Sequence, residues 1–136
     1  MFEEVAMNIL VAYDGSNVSL EAIKLAVKHA KTFNGRILLV QSMVGGPEIP
    51  RREFENTERG LQYQESLLKE SQIDCEAHLS VRGLEAGEDL VQLAEEKKID
   101  EIVIGVRRRS KVGKLIFGST AQYVILNAPC PVVSVR

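Results

Sequence analysis

"EIVIGVRRRSKVGKLIFGST", residues 101–120, decides how this chain is read. Its first five residues form a short, nearly continuous apolar run, the pattern of a strand buried on both faces of a sheet. Its end, Gly118-Ser119-Thr120, leads into a helical pattern carried by Ala121, Val124, Ile125 and Ala128. Between them lie Arg107, Arg108, Arg109, Lys111 and Lys114. A strand, a basic loop with glycines and a helix make one unit of a parallel α/β sheet. Such a unit also holds phosphates in many proteins, because the first N–H groups of a helix lack intrahelical partners and point outward. Ser119 and Thr120 would add hydroxyl donors, and Gly105 would let a ligand approach the backbone. The same residues fit a solvated basic turn equally well, so the unit alone leaves both readings open.

The rest of the chain repeats the alternation. "NILVAY" (8–13) is a first strand, followed by a turn at Asp14-Gly15 and by Ser16, a suitable helix N-cap. Ala22, Ile23, Ala26, Val27 and Ala30 then share one helical face, and Asn34-Gly35 ends that helix. "RILLVQ" (36–41) is a second buried strand. "MVGGPEIP" (43–50) has the glycines and prolines of a loop. Residues from Pro50 to about Ser71 form a polar helix with a narrow stripe at Phe54, Leu61 and Leu68. "CEAHLSV" (75–81) alternates, with Ala77, Leu79 and Val81 inward and His78 and Ser80 outward, as expected of a half-exposed edge strand. A third helix carries Leu90, Val91 and Ala94, and "VVSV" (132–135) closes the chain as a last strand after the helix-breaking "NAPCP". The prediction is one α/β domain over residues 1–136, a parallel sheet with helices on both faces.

Composition narrows the function. The 136 residues are 45% hydrophobic and 26% charged, with a formal charge of −2, so neither nucleic acid nor an anionic membrane is favoured as a partner. "RRRSK" lacks the interleaved aromatics of a single-strand binding surface. No apolar stretch is long enough to span a bilayer, and Met1-Phe2-Glu3-Glu4 does not read as a secretory signal, so a cytoplasmic protein is expected. Cys75 and Cys130 lack metal-ligand spacing and read as small buried apolar residues without a redox role. His29 and His78 read as a helix-surface and an edge-strand residue. No paired histidines, Cys–His set or metal cluster supports a dedicated enzyme.

Gly105, a nine-residue run at 109–117 and then Gly118-Ser119 resemble the signature of the universal stress protein family. That signature is Gly, two residues, Gly, nine residues, Gly and then Ser or Thr. "ILVAYDGS", "ILLVQSMV", "DEIVIG" and "NAPCPVVSVR" are similar to family segments in the same order. The resemblance implies a five-stranded parallel sheet of order 3-2-1-4-5, like that of adenine nucleotide alpha hydrolases. It also implies ATP; apart from the resemblance, the Asp14 carboxylate could hold Mg²⁺ with a triphosphate. On the basis of the resemblance, Ala12 and Asp14 would lie beside adenine and ribose, and Ser42 would offer backbone contacts to the adenine. Ile104 and Gly105 would border the ribose, and Gly118, Ser119 and Thr120 would take the phosphates. Asp14 is equally suited to capping the helix that follows it. The chain departs from the signature at Arg108, which stands where the second glycine belongs; a guanidinium there could replace backbone N–H contacts to phosphate. The resulting expectation is an ATP-binding regulatory protein of the stress response, a homodimer through Val132, Val133 and Val135 of the last strand. The alternative is a stress-linked dimer that binds protein partners and no nucleotide.

Overall fold

The computed structural model describes residues 6–46, 48–106 and 118–136. The elements follow one another as β1 (Met7–Ala12), α1 (Asn17–Phe33), β2 (Gly35–Ser42), α2 (Arg51–Glu70), β3 (Cys75–Ser80), α3 (Ala86–Glu96), β4 (Glu101–Gly105), α4 (Ser119–Asn127) and β5 (Val132–Val135). All strand pairings are parallel, and the strand order is β3-β2-β1-β4-β5, the order that the sequence resemblance implied.

β1 lies at the centre because its side chains are apolar on both faces: Ile9, Leu10 and Val11 have no exposed surface. Strand alternation sends them to two cores. Leu10, Val40 and Ile102 meet Leu90 and Leu93 of α3 and Val124 of α4. Ile9, Val11 and Leu39 meet Ala22 and Ala26 of α1 and Leu61 and Leu68 of α2. α1 starts at the Ser16 cap, whose hydroxyl accepts the Ser19 N–H at 3.2 Å. It ends at Asn34 in the left-handed region (φ 53°), a conformation asparagine tolerates better than most residues.

Four local expectations change. In α4 Ala121 and Val124 are buried, but Ile125 is exposed and Ala128 is the C-cap beyond the last helical residue. Ala128 still packs, partly buried, against the core, so Ile125 is the position of the four that turns to solvent. Ser80, expected to face water, is 2% exposed, because its side of the edge strand is covered by α3. His29 is half-buried rather than on the surface: α1 crosses the start of β4, and His29 Nδ1 lies 2.7 Å from Glu101 Oε1. The two cysteines are free and half-buried, not fully buried; burial is the main influence raising both thiol pKa values, which keeps them protonated and weakly nucleophilic.

Candidate functional site

A parallel sheet leaves a crevice where its connections diverge, beyond the C-terminal ends of the strands. Here the divergence lies between β1, whose chain returns to β2 on one side, and β4 on the other. A cavity of about 310 Å³ opens there, the size of a small-molecule site. Its lining includes Ala12, Asp14, Ser42, Ile104, Gly105, Gly118, Ser119 and Thr120. These residues come from four separate stretches of chain. Arg108, Arg107, Arg109, Lys111 and Lys114 lie outside the described residues.

The floor begins where β1 ends. Tyr13 donates its N–H to Val40 O at 2.8 Å, which ties the departing chain to β2. Gly15 then adopts φ +82°, a backbone state that most residues avoid, and this reverses the chain into α1. Asp14 Oδ1 accepts the Ser16 N–H at 2.9 Å and closes the turn. Asp14 therefore does not cap α1, a role that Ser16 takes; it holds the turn before the helix and lines the cavity.

The two glycines that flank the basic loop do different work. A Cβ on Gly105 would fall 2.7 Å from both the carbonyl carbon and the carbonyl oxygen of Val18. Its missing side chain is filled by the first turn of α1, so Gly105 sets helix-on-strand contact rather than open access for a ligand. At Gly118 the reverse holds. Among the described residues a Cβ there would meet no atom within 4 Å, and φ is an ordinary −65°. Gly118 is the N-cap of α4 and has no side chain with which to cap it. The first N–H groups of α4, those of Ser119, Thr120 and Ala121, thus begin at the cavity edge with space before them. This arrangement suits an anionic group.

At the opposite wall Ser42 is the last residue of β2, not a residue beyond it. Its Oγ donates to Asp89 Oδ2 at 2.5 Å. Asp89 has no exposed surface, and its Oδ1 accepts Arg82 Nε at 2.8 Å, while Arg82 Nη1 reaches Glu96 at 2.9 Å. Burial pushes the Asp89 pKa up and is the largest single influence. The hydrogen bonds from Ser42, Ser80 and Arg82, with the Arg82 charge, outweigh it and hold the carboxyl below its usual range. Ser80 Oγ makes no hydrogen bond of standard length and angle, yet lies near enough to favour the ionised carboxylate.

Residues that the sequence reading did not assign to the site also line the cavity: Tyr13, Ser16, Ser19, Val40, Ala86, Leu90 and Ala121. Val40 and Leu90 belong to the core as well, and Val40 shares its face of β2 with Ser42. Burial chiefly raises the Tyr13 pKa, opposed by a Gln64 hydrogen bond and assisted by the Asp14 charge, so the phenol stays a neutral donor. Neither histidine lines the cavity. Among the described residues no group of three or more His, Cys, Asp or Glu side chains is placed to hold a metal, and no helix is long and apolar enough to cross a membrane.

Comparison with known proteins gives a consistent picture. Residues 6–136 match the universal stress protein family. A universal stress protein of Thermus aquaticus is 35% identical over 94% of this chain and 97% of its own. The structure of a universal stress protein from Archaeoglobus fulgidus superposes with a TM-score of 0.87 at 34% identity, covering 97% of this chain and all of that one (100%). A universal stress protein from the same organism in complex with dAMP superposes at 0.81 with 27% identity, covering 98% of this chain and 100% of the other.

Proposed function

Because this chain belongs to the universal stress protein family, we propose that its cavity binds an adenine nucleotide, ATP in the resting case, and that the protein acts as a regulator rather than as a dedicated catalyst. The observation that carries this reading is the convergence of Ala12, Asp14, Ser42, Ile104, Gly105 and Gly118 to Thr120 on one cavity. The dAMP complex of the Archaeoglobus fulgidus relative supports an adenine nucleotide as the class of ligand.

The residues present fit such a ligand. The space at Gly118 and the start of α4, open among the described residues, would receive the phosphates, with the Ser119 and Thr120 hydroxyls as further donors. The Asp14 carboxylate would accept from ribose hydroxyls and could hold an accompanying Mg²⁺. Ala12, Val40, Leu90 and Ile104 give the apolar walls that a purine ring needs. A bound triphosphate would supply a readout of energy state, not a reacting centre. Arg108 and its basic neighbours would add charge to the phosphate end and offset the absent signature glycine. The protein would work in the cytoplasm as a homodimer joined along β5.

Calorimetric titration of nucleotide-stripped protein with Mg-ATP at two salt concentrations tests this. Saturable micromolar binding that weakens with salt is expected. No detectable heat from a folded dimer would sink it. The second reading, a dimer that binds protein partners without nucleotide, would then stand. It draws on the exposed Tyr123, Ile125 and Leu126 of α4.

A further inference from the structure

Ser42 follows Leu38 and Val40 at two-residue intervals along β2 and shares their face, so its side chain lies on the side of the sheet that α3 and α4 cover and that the cavity occupies. A serine hydroxyl has one proton to give and two lone pairs with which to accept. An ionised carboxylate can only accept. Asp89 is fully buried and bonded to Arg82 on one oxygen, so the short contact on its other oxygen uses the Ser42 proton. Ser42 Oγ is left with lone pairs alone to offer the cavity.

We propose that Asp89, acting through Ser42, makes this end of the cavity select a base that presents a hydrogen-bond donor, and so prefers a 6-aminopurine nucleotide to a 6-oxopurine one. The inference rests on reading the cavity as a purine-nucleotide site with the base at the β2 end. An exocyclic amino group would meet the Ser42 lone pairs productively. A 6-oxo group would set two acceptors against each other with no proton between them. Turning the Ser42 proton towards the cavity would relieve that conflict, but it would remove a hydrogen bond from a buried carboxylate. Arg82 is already shared between Asp89 and Glu96, and Ser80 Oγ, though near Asp89, makes no hydrogen bond of standard length and angle, so neither replaces the missing bond without moving. Asp89 is therefore a positioning residue: it need not touch the ligand to decide what Ser42 can recognise.

The test is the ratio of dissociation constants for AMP and IMP, measured on the full chain and on Asp89→Asn and Ser42→Ala. The unaltered protein is expected to prefer AMP by about tenfold or more, the worth of one hydrogen bond made or left unmade. In Asp89→Asn, Arg82 would draw the amide oxygen towards itself and turn the NH₂ to Ser42, which would free the Ser42 proton; the ratio should fall towards one. Ser42→Ala removes the discriminating oxygen and should give the same collapse, and it carries the test should Asp89→Asn fail to fold. Simple loosening of the site would weaken both nucleotides together and leave the ratio alone. Equal binding of AMP and IMP by the unaltered protein, or a preserved ratio in a folded variant, overturns the inference and leaves the nucleotide reading intact. Binding of neither nucleotide overturns that reading and this inference with it.

Discussion

Gly105 and Gly118 look alike in the sequence, each standing at one end of the basic loop, yet an added methyl group should separate them. In Gly105→Ala the new Cβ would press on the backbone of Val18, which cannot rotate away as a side-chain tip would. α1 would have to shift, at a cost of about 1–3 kcal/mol in stability by urea unfolding. Gly118→Ala has room among the described residues, so its unfolding free energy should change by less than about 1 kcal/mol, the loss of a glycine N-cap. ATP affinity should nonetheless drop about tenfold, because the methyl group would enter the space assigned to phosphate. The sequence marked both glycines as contacts, and nothing local could have told them apart. The atom that crowds Gly105 belongs to Val18, far away along the chain.

At the scale of the element, strands and helices were legible because their apolar periods are clean: β1, β2 and β4 read as unbroken runs, and α2 as a seven-residue stripe. The sequence was weaker where a polar residue is buried by a partner element. Ser80 sits on the polar side of a correct alternation, and Asp89 reads as an ordinary acid in the first turn of α3. Neither shows its burial until α3 is laid over the end of β3. The Asp89 network carries an acid signature. Its folded-state pKa is lowered from the usual 3.8, so its contribution to stability is complete above that value and is lost as pH falls through the lower folded-state value. Urea midpoints followed from about pH 5 to about pH 2 should fall less steeply in Asp89→Asn than in the unaltered protein. Arg82→Ala should be costlier at neutral pH, by about 3–5 kcal/mol, because it strands a buried carboxylate.

For the molecule as a whole, the strand order and the meeting of distant loops at one cavity followed from the α/β pattern together with the family resemblance. Pattern alone would have left the neighbour of β1 open, since several parallel orders satisfy the same alternation. β5 ends the sheet with Val132, Val133 and Val135 only half-buried, and Tyr123, Ile125 and Leu126 stand exposed on the helix before it. If this edge joins two copies, Val133→Lys should convert the dimer to a monomer in light scattering while thermal unfolding of the single chain stays cooperative. A dimer that survives the charge would place the contact elsewhere.

α2 leads to a different kind of behaviour. It is 20 residues long but buries only Leu61 and Leu68 among its described side chains, and it contributes no residue to the cavity lining. So little buried surface gives it a low free energy of opening on its own. Its amide protons should exchange with deuterium well ahead of those in β1 and β4. A saturating ligand should slow exchange in the strands and at the start of α4 while leaving α2 nearly as it was outside the turn around Gln64, which bonds the cavity residue Tyr13. The chain would then hold two rates of breathing, one tied to occupancy of the crevice and one indifferent to it.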